Sequence, residues 1–238
     1  MCNDACEEIW CLIINIFIQT LVIDCKWGVI LDANDMKALL DKCYEYALDG
    51  LPGMETVEEL ANSYWNQSGT LESKIDDMID YQKYKCATSG FLSGLGGVLT
   101  MPITIPANIS SVLYVQIRMV AAVAYMSGFN IRDDKVKTFV YVALCGSSAS
   151  EVMKKAGIKI TEKMSEQLIK KIPIELIKSI NKAVGFRLVT KAGQTGIVNL
   201  SKMVPLLGGV FGGGFDYVTT NTIGYRAKKM FYKKNLKD

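Results

Sequence analysis

Apolar positions recur along most of this chain at helical spacing. Between Met36 and Leu48 they fall at Met36, Leu39, Leu40, Cys43, Tyr44, Ala47 and Leu48, the i, i+3, i+4, i+7 pattern of an amphipathic helix. Gly50-Leu-Pro-Gly53 predicts its stop. Thr56 and Glu59 have the spacing of a capping box, which predicts a helix over 56–65. A further helix is predicted over 71–88, with Ile75, Met78, Ile79 and Gln82 on one side. Pro106 suits a first helical turn, and Gly128 suits the left-handed stop of a helix ending near Ser127. Apolar residues continue over 138–144. Basic amphipathic helices are predicted over 161–171 and 174–191, separated by Pro173. On the second, Ile177, Ile180, Val184 and Leu188 line one face, while Lys178 and Lys182 project elsewhere. No long alternating strand pattern and no hairpin dipeptide between strands is present. The expectation is an all-α fold, a compact multi-helix domain spanning 1–238 with glycine-rich helical hairpins.

Two glycine-rich stretches interrupt the amphipathic pattern. "GFLSGLGGVLTMPITIPANISSVLYVQI", Gly90 to Ile117, lies within 31 uncharged residues, Ala87 to Ile117. The second, Met203 to Tyr225, carries Asp216 as its one charge. Glycines recur four apart, Gly90 with Gly94, Gly208 with Gly212 and Gly209 with Gly213, a spacing that lets helix backbones approach closely. Each glycine in a helix interior costs about 1 kcal/mol against alanine, so close packing or a membrane must compensate. Pro102 and Pro106 divide the first stretch into pieces too short to cross a bilayer. A carboxylate such as Asp216 at mid-bilayer costs roughly 3 kcal/mol. Both stretches therefore read as broken, half-depth hairpins or as close-packed core. Neither is followed by Lys-Ser or Lys-Thr, so no Walker-type phosphate loop is present. The uncharged run Ile9 to Ile23 is short for a span and follows acidic residues, the wrong flank for a signal peptide; a buried or interfacial helix is expected there.

Charge separates the chain into two parts. Met1 to Gln82 holds 16 acidic and 4 basic residues, and Lys83 to Asp238 holds 8 and 23. The basic part suits an anionic surface. In the tail, Arg226, Lys228, Lys229, Lys233 and Lys234 interleave with aromatic and apolar residues, the pattern of a juxtamembrane lipid-binding cluster. No nucleic-acid-binding motif accompanies it, and no nucleic-acid partner is expected. The chain has no His, which excludes His-dependent triads and HExxH metal sites. Its seven Cys form no CxxC pair and are odd in number, so neither a structural zinc nor a disulfide framework is expected. No cofactor, metal or catalytic residue is assigned. Inside the apolar helix from Pro106, Gln116 and Arg118 point to different sides. A buried Arg needs a partner, and Asp216 is the candidate for a buried ion pair with Arg118. Binding of an anionic head group by Arg118 is the alternative.

"LDGLPGMETVEELANSY", the long middle block ending "SSVLYVQIRMVAAVAYMSGFN", "INKAV" and "VPLLGGVFGGGFDYVTTNTIGYRAKKMF" together resemble the EcsC protein family over Met36 to Tyr232. The matching positions are Gly94, Gly96, Gly97, Pro102, Pro106, Gln116, Arg118, Gly128, Pro205, Gly208 and Gly224. The resemblance implies an all-helical fold and membrane proximity, and supplies no catalytic residues. The expectation is a cytoplasmic, peripheral membrane protein. Its partner would be an anionic membrane surface or a membrane protein, met through basic amphipathic helices and glycine-rich hairpins. A soluble scaffold for a protein partner and an enzyme of unidentified class are the alternatives.

Overall fold

The structure is a computed structural model. It describes residues 32–51, 53–87, 107–157, 165–201 and 205–232, with side chains left out at 87, 107–110, 191–201 and 205–215. Every described residue belongs to the compact unit Leu31–Asp238. Nine α-helices occur among the described residues, and no strand beyond one isolated bridge, Leu51 with Met54. In chain order the helices are α1 (Ala33–Asp49), α2 (Val57–Trp65), α3 (Leu71–Ala87), α4 (Ala107–Met126), α5 (Asp134–Leu144), α6 (Ala149–Lys155), α7 (Glu166–Lys170), α8 (Ile174–Ser201) and α9 (Pro205–Phe231).

The local signals act where the sequence places them. Asp32 caps α1 through the Asn34 and Asp35 amides, and the Asp35 carboxylate returns to the Asp32 amide. Thr56 and Glu59 form the reciprocal capping box of α2, at 3.1 and 2.8 Å. Gly128 ends α4 at φ +83°, with its amide on the Tyr125 carbonyl and the Phe129 amide on that of Ala124. Only glycine takes that backbone conformation without strain.

α4 is the axis of the unit. It packs against α1, α2, α3, α5 and α9, and from Leu113 to Ala124 every residue is buried. A helix surrounded on all sides has no solvent face to pattern, which explains its nearly uncharged sequence. The described part of the first glycine-rich stretch, from Ser111 onward, is therefore core apart from half-buried Val112. Gly94, Gly96, Gly97, Pro102 and Pro106 lie outside the described residues, as do Ile9–Ile23, Lys233 and Lys234. The second stretch reads in the sequence as a broken hairpin or as close-packed core. α9 is one continuous helix from Pro205 to Phe231, and it packs most extensively along α3. Asp216 stands inside it half-buried and does not break it. Pro205 opens this helix and Gly208 lies in its first turn. Among the described residues, no helix is long and apolar enough to cross a membrane.

Two glycines set helix spacing. A Cβ on Gly224 of α9 would lie 2.5 Å from Ile79 Cγ2 of α3, and one on Gly185 of α8 would lie 2.7 Å from the Ala33 carbonyl oxygen of α1. The contact at Gly224 gives a packing reason for that family-pattern position. The corresponding need at Gly185 was not read from the sequence.

Candidate functional site

The helix face that carries Arg118 meets α3 and the turn between α1 and α2. There the Arg118 side chain is wholly buried. One terminal nitrogen donates to the Glu55 carbonyl oxygen at 3.0 Å, the other to Gln82 Oε1 at 3.4 Å. Both acceptors are neutral. Among the described residues no ion pair joins Arg118 to a carboxylate, Asp216 included. The expected ion pair is replaced by an amide and a main-chain carbonyl, an acceptor that no residue identity reveals. Arg118 Nε, Gln82 Nε2 and Tyr114 Oη are buried without a hydrogen-bond partner. The Tyr114 ring lies 5.7 Å from the guanidinium carbon, and the Arg118 charge acts on its hydroxyl without a bond of normal geometry.

Arg118 forms part of the wall of a cleft of about 360 Å³, within the roughly 300–1,000 Å³ of small-molecule sites. Glu55, Ser63, Tyr64, Gln67, Tyr81 and Lys85 share that wall. The Lys85 ammonium lies 4.7 Å from the centre of the Tyr81 ring. Burial, then the charge of Arg118, holds its pKa below the ordinary lysine value, against an opposing pull from Glu55.

Gln116, on another side of α4, donates to Thr220 Oγ1 of α9 at 3.0 Å. It is a buried tie between helices and shares no site with Arg118, as their angular separation predicts.

The basic tail divides. Lys228 bonds Asp76 at 2.7 Å and Glu72 at 3.0 Å, both on α3, with its side chain only 20% exposed. Burial lowers its pKa, but those two carboxylates outweigh this and hold it above the ordinary value. Lys228 thus joins α9 to α3 within the fold. Arg226 and Lys229 are half-buried on the same helix.

A different basic surface is exposed. On α8, Ile177, Ile180, Val184 and Leu188 are buried, as their spacing predicts. The opposite stripe carries Ile174, Lys178, Lys182 and Phe186, all exposed, with Phe186 at 63%. Successive members lie four apart, about 40° further round the helix each time, so the four share one face. Leu168 on α7 is 48% exposed and is followed by exposed Lys170 and Lys171. Lys170 pairs with Glu166 at 2.7 Å; Lys171, Lys178 and Lys182 join no ion pair among the described residues. Glu175 is the exposed acid near the stripe. Lys135 of α5 donates to the Lys170 and Ile172 carbonyl oxygens at 2.6 and 2.8 Å, which fixes the turn between α7 and α8. Arg187 reaches Ser148 Oγ at 2.7 Å and ties α8 to the turn before α6. These exposed apolar members were absent from the sequence reading, which located the lysines and the buried face alone.

Among the described residues no group of acids and cysteines could hold a metal ion. Asp41 collects Tyr141 Oη at 2.9 Å, Lys137 at 2.8 Å and Lys37, an ionic joint between α1 and α5. Neither the curated proteins nor the solved structures hold a match to this chain. The model of the EcsC protein family matches residues 29–236, reaching slightly past both ends of the resemblance read from the motifs, and the chain belongs to that family.

Proposed function

We propose that this EcsC family member binds anionic membrane surfaces peripherally through the exposed face of α7 and α8. The observation that carries this reading is the stripe Ile174, Lys178, Lys182, Phe186, in which two exposed cations stand between exposed apolar side chains. A fully solvated helix face has no use for Phe186 and Ile174 in water. At a bilayer both find apolar surroundings, and the lysines remain among the lipid head groups. Each cation near an anionic surface contributes about 1 kcal/mol, within about a Debye length. The ties through Lys135 and Arg187 anchor the turn before α8 and α8 itself to the rest of the unit. The tail is assigned a smaller part, because Lys228 is occupied within the fold.

The test is vesicle flotation of the full chain without detergent. Vesicles of phosphatidylcholine alone are compared with vesicles containing phosphatidylserine or phosphatidylglycerol. The protein should float with the anionic vesicles and be released by salt. Flotation that is equal with neutral vesicles and insensitive to salt would contradict the proposal, as would no flotation with either.

A further inference from the structure

A guanidinium removed from water normally meets a carboxylate, because an uncompensated buried charge is strongly destabilising. Arg118 departs from that rule. It is wholly buried, its two hydrogen bonds go to neutral oxygens, and its Nε makes none of normal geometry. The neighbouring Gln82 Nε2 is also unsatisfied. Two unmet donors beside one charge are an expensive arrangement in a folded chain, each costing roughly as much as a lost hydrogen bond. Arg118 lines a cleft, and a second cation, Lys85, stands in its wall over the Tyr81 ring. Among its described lining residues the cleft carries one acid, Glu55, against two bases. Ser63 on α2 and Gln67 in the turn after it add neutral hydrogen-bonding groups to the wall.

We propose that this cleft binds a small phosphate-bearing ligand, its oxyanion held by Lys85 and the field of Arg118 and its hydroxylated body by Ser63 and Gln67. The oxyanion supplies the counter-charge that no described carboxylate gives Arg118. Burial and the nearby guanidinium already lower the proton affinity of Lys85; an anion between the two cations relieves that strain. The same chemistry could be presented by the head group of a lipid or by a free phosphate monoester. The proposal is independent of the membrane face on α7 and α8.

The test uses the full chain with inorganic phosphate and glycerol 3-phosphate as soluble probes, read by thermal stability and titration calorimetry. Vesicles containing phosphatidic acid are the lipid arm. At least one probe should bind saturably. Lys85→Gln should weaken it roughly tenfold or more, the loss of one charged hydrogen bond. Glu55→Gln should tighten it, because it removes the acid among the cleft's described lining residues. Arg118→Met should abolish it. If that variant does not fold, the opposed responses of the other two decide. Lys178→Gln with Lys182→Gln should leave soluble-probe binding unchanged, so failure of the membrane reading and failure of this one are separable. Soluble binding alone identifies a free phosphate monoester. Binding of phosphatidic acid alone, with the same variant pattern, identifies a lipid head group. No saturable binding in any arm, or binding indifferent to both Lys85→Gln and Glu55→Gln, would overturn the proposal.

Discussion

Gly224→Ala sets two physical effects against each other. In a helix interior, alanine is favoured over glycine by about 1 kcal/mol, so intrinsic propensity alone predicts a more stable protein. The structure predicts the reverse. The new methyl would stand 2.5 Å from Ile79 Cγ2, 3.2 Å from its Cγ1 and 3.4 Å from its Cβ. Ile79 is itself buried, and a β-branched side chain in a helix has one strongly preferred χ1 rotamer, so it cannot swing aside. Relief requires α9 to move off α3, and overpacking of this kind costs about 1–3 kcal/mol. After the propensity gain, a net loss of about 1 kcal/mol remains. Gly185→Ala should lose more, since its methyl meets the Ala33 carbonyl oxygen at 2.7 Å, and main chain yields less readily than side chain. Equilibrium unfolding in urea at fixed pH measures both. Expected are lower midpoints at unchanged slope, in the order wild type, Gly224→Ala, Gly185→Ala. Either variant standing about 1 kcal/mol above wild type would refute the close-approach reasoning and leave helix propensity as the stronger effect.

Lys228→Gln should lower stability by about 1 kcal/mol or less, the scale of a partly exposed bridge to two carboxylates, and should leave vesicle binding unchanged; a pronounced loss of lipid binding with intact stability would restore the lysine to the lipid surface. Stability should also fall on the alkaline side. Burial pushes the Cys43 and Cys86 thiols from 9.0 up to about 12, so the folded state retains protons that the unfolded state releases above about pH 9. Lys228 acts in the same direction, because its folded pKa is raised and its bridge is lost as pH climbs through that value. Urea midpoints at about pH 8 and about pH 10.5 should therefore differ, with the higher pH less stable; equal midpoints would contradict the burial of these thiols.

Helices and caps were legible because their signals are local. Thr56 and Glu59 lie three apart, Gly128 follows its helix directly, and Ile177, Ile180, Val184 and Leu188 share one face by spacing alone. Partners distant in sequence were not legible. Lys228 meets Asp76 across 152 positions, and nothing in "YRAKKMF" distinguishes it from a solvated lysine. Arg118 was recognised as a buried charge in need of a partner, but its strongest hydrogen bond goes to a main-chain carbonyl, which residue identity does not mark. Asp216 counted against a bilayer span because a bilayer penalises a carboxylate; half-buried on a helix of a packed unit, the same carboxylate is tolerated. The lysines of α8 were visible as basic. That Ile174 and Phe186 stand beside them in the open required knowing which face α1 and α5 cover.

The measurement closest to the central claim is quantitative partitioning of Lys178→Gln with Lys182→Gln onto phosphatidylserine-containing vesicles, beside wild type and Lys228→Gln. Two cations at about 1 kcal/mol each predict roughly thirtyfold weaker partitioning for the double variant and wild-type partitioning for Lys228→Gln. Wild-type partitioning of the double variant would contradict the assignment of α8 as the membrane face.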